Sequence, residues 1–171
     1  MQRSLTIFLC LFSGSLMMHA QHSFLAEATE KWENAMAYTL ELAEAMPSEH
    51  YAYRPTEEQM TFQQQLLHMA NNVAWLTHDY LGGPKTEVDR EMPDASKEEI
   101  LAVLTSTLER AQQALVDFPA DQLDEQVNFF AGPMSKRKII LLLHDHLTHH
   151  RGQAIVYARL KGIKPPRYRG W

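Results

Sequence analysis

Residues 138–161, KIILLLHDHLTHHRGQAIVYARLK, decide how this chain is read. They carry four of its nine histidines, His144, His146, His149 and His150. Apolar residues at Ile139, Leu143, Leu147, Ala154, Tyr157 and Leu160 recur at the three- and four-residue steps of an amphipathic helix. An inward stripe through positions 139, 143, 146, 150, 153, 157 and 160 includes His146 and His150. At about 100° per residue these two lie roughly 40° apart and one turn apart, so both rings can aim at one point. His144 points nearly opposite and reads as a solvent histidine, while His149 falls on the flank. Two inward imidazoles are satisfied either by a transition metal, which neutral imidazole suits, or by hydrogen bonds to a facing helix. Position 147 is Leu, so the HExxH pattern with its general base is absent. A third ligand has to come from elsewhere.

Outside this stretch the composition is that of one globular domain, 171 residues with an apolar content sufficient for a core. Sixteen basic against 21 acidic residues give no electrostatic reason to expect nucleic acid as a partner. The basic residues Arg159, Lys161, Lys164, Arg167 and Arg169 read instead as a helix C-terminus and tail, with Gly162 as cap. Residues 1–20 differ in kind. Arg3 precedes the short apolar run LTIFLCLFSGSLMM, and Ala20 ends it, which predicts a signal peptide cleaved after Ala20, with an uncleaved anchor as the alternative. Cleavage removes Cys10, the single cysteine. The remaining domain, residues 21–171, then has no disulfide, no thiol nucleophile and no stable membrane span, and it is exported to the periplasm or the medium.

Within that domain, helical spacing predicts a first helix over 22–45, stopped by Pro47, and a second from about Thr61 to Leu81, stopped by Gly82, Gly83 and Pro84. Thr56 with Gln59 resembles a capping box, and Thr61 is a second candidate cap. The second helix has its stripe at Phe62, Leu66, Met69, Val73, Leu76 and Tyr80. His68 lies roughly 120° away, on a line with Gln65, Asn72 and Trp75. A polar loop covers 85–95, Ser96 and Glu99 form a further capping box, and a third helix runs over 97–118 to Pro119. Phe129 and Phe130 in the next connector are placed to cover one end of the core. Ser135 caps the fourth helix. With no convincing strand, the fold class is all-α, a four-helix bundle whose long connectors permit crossovers.

Two segments together resemble the DinB/YfiT-like family. One is HLTHHRGQ at 146–153 followed by YARL and Gly162; the other is YAYRPTEEQMTFQQQLLHMANNVAWL at 51–76. The resemblance covers most of residues 21–166. It implies an up-down-down-up bundle and a divalent metal held by one histidine of the second helix and an HxxxH pair of the fourth, here His68, His146 and His150. Zinc or nickel is the expected ion. Three histidines leave a coordination position open, the arrangement of catalytic rather than structural zinc. The resemblance also implies an enzyme of transferase or hydrolase type, since relatives include thiol-dependent transferases and isomerases acting with bacillithiol, mycothiol or glutathione. Such thiols are chiefly cytosolic, which sets an exported protein apart from them. No single residue is assigned a catalytic role, and the substrate is unnamed.

Around those ligands, Gln153 is positioned to orient a ligand histidine, and Arg151 either binds an anionic substrate or pairs with a carboxylate on a neighbouring helix. His149 completes this outer set. Gly152 is expected to mark a close helix approach, Asp145 a surface charge, and Asp79 or Glu33 are the carboxylates that could close the site. Trp32, Trp75 and the methionines are expected in the core. The competing readings are a non-catalytic metal- or ligand-binding bundle, and a bundle whose histidines stabilise an interface, such as that of a homodimer.

Overall fold

Four helices build the protein: α1 (Gln2–Ala45), α2 (Phe62–Leu81), α3 (Lys97–Val116) and α4 (Lys136–Leu160). The structure, a computed structural model, describes residue 21 and residues 23–171 in full; the side chains of residues 1–20 and of His22 lie outside the description. The expected signal peptide and its cut after Ala20 fall on those residues. Among the described residues no helix is long and apolar enough to cross a membrane.

Helix starts follow the local sequence closely. Thr61, not Thr56, caps α2, in a reciprocal capping box with Gln64, and Ser96 does the same for α3 with Glu99. Thr56 and Gln59 instead close a turn, Gln59 N–H donating to Thr56 O at 3.2 Å. Ser135 caps α4 by accepting from the Lys138 N–H. At the C-terminal ends of α2 and α4 stand Gly82 at φ 76° and Gly162 at φ 77°, in the left-handed region that a side chain resists. One short element was not expected: a two-residue antiparallel ladder, β1 (Gln126–Val127) with β2 (Met134–Ser135), which closes the connector before α4.

Contacts between side chains define the topology. Trp32 Nε1 donates to Leu108 O, Gln112 to Glu33, and Lys97 to Glu44 O, so α1 and α3 run antiparallel. Arg151 reaches Ala35 and Thr39, and Arg137 lies over Phe24, so α4 runs parallel to α1. His68 meets His146 while Gln65 meets Gln153, which sets α4 antiparallel to α2. The helix order is therefore up, down, down, up. Because α2 and α3 point the same way, the chain leaving α2 has to return along the bundle before α3 can begin. Residues 83–95 make that return as a strap. It is tied by Arg110 to Thr86, by Asn71 to Val88 O, and by Gln63 to Met92 O at 2.7 Å. Met92 adopts φ 32°, a left-handed conformation that costs a non-glycine residue about 1 kcal/mol or more.

The core fills the space between the helices with Trp32, Leu42, Phe62, Leu66, Met69, Leu76, Ile100, Leu104, Leu108 and Leu143, all inaccessible to solvent. Trp32 thus meets its expected place. Trp75 does not: it is half-buried on the rim, stacked on Phe129 at 5.6 Å. Phe130 is 84% exposed and covers no core.

Candidate metal centre

Helix α4 packs against two helices at once, so its buried arc is wide. Ile139, Ile140, Leu143, His144, Leu147, Arg151, Ala154, Tyr157 and Ala158 are buried, an arc of about 140° at 100° per residue. His146, His150 and Gln153 sit at one edge of that arc, facing α2. His144 and Arg151 sit at the other, facing α1. The inward stripe read from the sequence is thus rotated toward α2, and two assignments change with it. His144 is not a solvent residue: it is 4% exposed, its ring 5.4 Å from that of Trp32 in an edge-on contact. Leu160, placed on the stripe, is 58% exposed.

On the α2 side the three expected ligands come together. His68, His146 and His150 offer nitrogens that all lie within 4.8 Å of one another, and no carboxylate joins the group among the described residues. His68 Nε2 and His146 Nε2 are 3.2 Å apart. Two nitrogens held tetrahedrally at metal–nitrogen distances of 2.0–2.1 Å would be about 3.3 Å apart, so the spacing fits a divalent ion. All three rings are half-buried. Asp79 is exposed, and Glu33 accepts a hydrogen bond from Gln112 on the far face of α1, so neither closes the site.

A chain of hydrogen bonds behind His150 fixes which of its nitrogens is available. The Tyr157 hydroxyl donates to Met60 O at 3.0 Å, an acceptor that cannot reverse the direction. Tyr157 then accepts from Gln65 Nε2, which also donates to Gln153 Oε1 at 2.6 Å. That orients the Gln65 amide with its oxygen toward His150 Nδ1, 2.7 Å away. His150 therefore carries its proton on Nδ1 and presents a bare Nε2 to the cluster. Gln153, expected to orient a ligand directly, works through Gln65, and its own Nε2 donates to the exposed His149. Gln65 is the residue the sequence reading passed over. It is a glutamine 1% exposed, on the line already drawn through His68 and Asn72.

Burial is the main cause that lowers the proton affinity of all three histidines, and their mutual charge repulsion adds to it for His146 and His150. The pKa values of His146 and His150 fall to about 4. His68 is lowered too, by burial first and then by the charge of Arg90. Neutral rings at physiological pH are what metal ligation requires.

The remaining expectations divide. Among the described residues Arg151 meets no carboxylate: its guanidinium donates to Ala35 O, Thr39 Oγ1 and Thr148 Oγ1 and lies 5.0 Å from the centre of the Tyr38 ring. It ties α4 to α1, on the opposite side from the cluster. Asp145 is exposed, as expected. Gly152 marks no close approach, since a Cβ there would meet nothing within 4 Å.

Comparison with known proteins agrees with this architecture. The sequence model of the DinB family matches residues 17–170, and the chain belongs to that family. A curated relative, the uncharacterised protein YjoA of Bacillus subtilis, is 26% identical over 128 residues, covering 72% of this chain and 82% of YjoA. The crystal structure of YjoA superposes with a TM-score of 0.70 at 20% identity, over 84% of this chain and 97% of that one. A DinB-like protein from Bacillus cereus gives 0.69 at 19% identity, over 82% and 95%. A DinB family member from Exiguobacterium sibiricum gives 0.63 at 17%, over 86% and 97%. At these identities the superpositions show the fold alone.

Proposed function

We propose that this member of the DinB family is an exported, divalent-metal-dependent enzyme of transferase or hydrolase type, with His68, His146 and His150 as its ligands. The observation that carries the reading is the convergence of three neutral imidazoles with, among the described residues, no cysteine, carboxylate or further histidine joining them. An ion bound there would act as a Lewis acid toward a water or thiol at the open position. The protein's own residues do the rest. Gln65 holds His150 in the tautomer that leaves Nε2 bare, and Gln153 and Tyr157 hold Gln65. Zinc and nickel suit an all-nitrogen donor set, and the absence of cysteine in residues 21–171 removes the soft ligand that would close a structural site.

Metal analysis of protein purified without a histidine tag tests the first step: one equivalent of zinc or nickel is expected, and none would end the proposal. Cobalt substitution tests the second. Azide or a small thiol should perturb the cobalt spectrum saturably if a position is open. An unresponsive spectrum, with unfolding on removal of the ion, would leave a structural metal in a non-catalytic bundle. Export predicts a mature chain beginning at Gln21 in the periplasmic or secreted fraction, which mass spectrometry reads directly.

A further inference from the structure

The strap that the topology requires passes directly beside the histidine cluster. It is tied to α2 at Asn71, whose Nδ2 donates to Val88 O, and at Gln64, whose Nε2 donates to the Glu91 carboxylate at 3.0 Å. These anchors lie three residues after His68 and four before it, on the same side of the helix. The residues between Val88 and Glu91 therefore run past His68, and one of them is Arg90. Arg90 thus lies between the two anchors, beside the turn of α2 that carries His68. Arg90 is exposed.

Both acidic neighbours of Arg90 are engaged elsewhere. Asp89 Oδ1 accepts from the Glu91 N–H at 2.9 Å, and Glu91 Oε2 accepts from Gln64. Among the described residues Arg90 forms no ion pair, whereas Lys85, Lys97, Lys136, Arg137 and Arg169 each do. A like charge beside a cluster that would carry a divalent cation is unfavourable unless an anion comes between them. The strap is nevertheless locked in this course: Gln63 holds Met92 O, and Met92 bears the left-handed backbone at the end of the run. Strain of that kind persists where the surroundings enforce it, and it gathers at ligand clamps.

We propose that Arg90 is the substrate-anion residue of the three-histidine site, so that the substrate carries a carboxylate or phosphate beside the atom that enters the open metal position. The inference rests on the metal reading above. A guanidinium suits this role because its planar donors match a carboxylate or phosphate in two parallel hydrogen bonds.

Paired probes that share a metal donor and differ in charge test it. Cobalt-loaded wild type, Arg90→Gln and Arg90→Lys are titrated anaerobically with mercaptoacetate and with 2-mercaptoethanol, following the cobalt absorption. Wild type should prefer mercaptoacetate by up to roughly fivefold, the upper scale of one exposed charge pair. Arg90→Gln should abolish that preference without changing the affinity for 2-mercaptoethanol, and Arg90→Lys should keep part of it. An unchanged preference in Arg90→Gln overturns the proposal. If cobalt does not bind at all, the metal reading fails by itself, and Arg90 is then judged in metal-free protein by the shift of the His68 ring signals on titration with inorganic phosphate. Loss of that shift in Arg90→Gln upholds an anion site on the strap, and its persistence overturns it.

Discussion

The two edges of α4 carry similar residues and use them differently. Toward α2, His146 and His150 meet His68 and Gln65, and every ring has another polar group within reach. Toward α1, His144 meets Trp32 in an edge-on contact, and among the described residues neither of its ring nitrogens has a hydrogen-bond partner. Burial first and then the charge of Lys31 take its pKa to about 4, against the opposing influence of Asp145 and the Ala28 backbone. The lesson is that the opposing helix, not the histidine, determines the role. Polar residues on α2 draw His146 and His150 into a cluster compatible with a metal site, whereas Trp32 on α1 makes His144 a packing residue.

The sharpest way to break this comparison is to remove one ring from each edge. His146→Ala should lower metal affinity by more than the roughly hundredfold that marks loss of an outer-shell partner. His144→Leu should leave the metal content unchanged. Metal titration of the two variants reads both, and equal losses would erase the distinction between the edges.

Gln65→Leu sharpens it further, because this variant leaves all three ligands in place. Freed of its partner, His150 loses its fixed tautomer, and affinity should fall about 10- to 100-fold. An unchanged affinity would mean that the network merely fills space.

Acid acts on both edges in the same direction. The cluster histidines have lowered pKa values, so the unfolded chain binds protons that the native one does not, and stability is lost as pH falls. Loss in the metal-free protein should begin below about 6.5, the ordinary histidine value, and end near the folded value of about 4. Metal should accordingly be retained below pH 6.5, lower than three ordinary imidazoles would permit. Denaturation across that range should be flatter in His144→Leu, since His144 contributes to the same slope. At neutral pH this variant should gain about 1 kcal/mol by removing an unpaired buried polar group. The smallest effect belongs to neither edge: Gly152→Ala should stabilise α4 by up to about 1 kcal/mol, as thermal unfolding would read.

Much of this was legible in the sequence. The capping boxes, the Gly and Pro stops and the helical spacing define the four helices, and the family motifs point to His68, His146 and His150. What periodicity could not locate was the centre of a helix buried on two sides. The stripe through 146 and 150 is an edge of a wider arc, so the spacing alone points His144 to solvent, whereas the other edge of the arc buries it. His68 seemed off-axis for the same reason: α2 buries Leu66 and Met69 in the core and turns Gln65 and His68 toward α4. Arg90 was beyond reach because its place depends on the path of a strap that no local pattern specifies.

The cluster histidines also lie far apart along the chain, His68 and His146 being separated by 78 residues, and the α1–α4 tie from Arg151 to Ala35 spans 116. Such long-range contacts raise the contact order and close only once α4 has docked. The unfolded chain consequently lacks the three-histidine cluster, and an ion that bound it would select the folded population. At a free concentration about 100 times its dissociation constant, it would add about 2.7 kcal/mol to the stability of the bundle. Were the chain exported unfolded, as proposed above, that stabilisation would arrive only on the far side of the membrane.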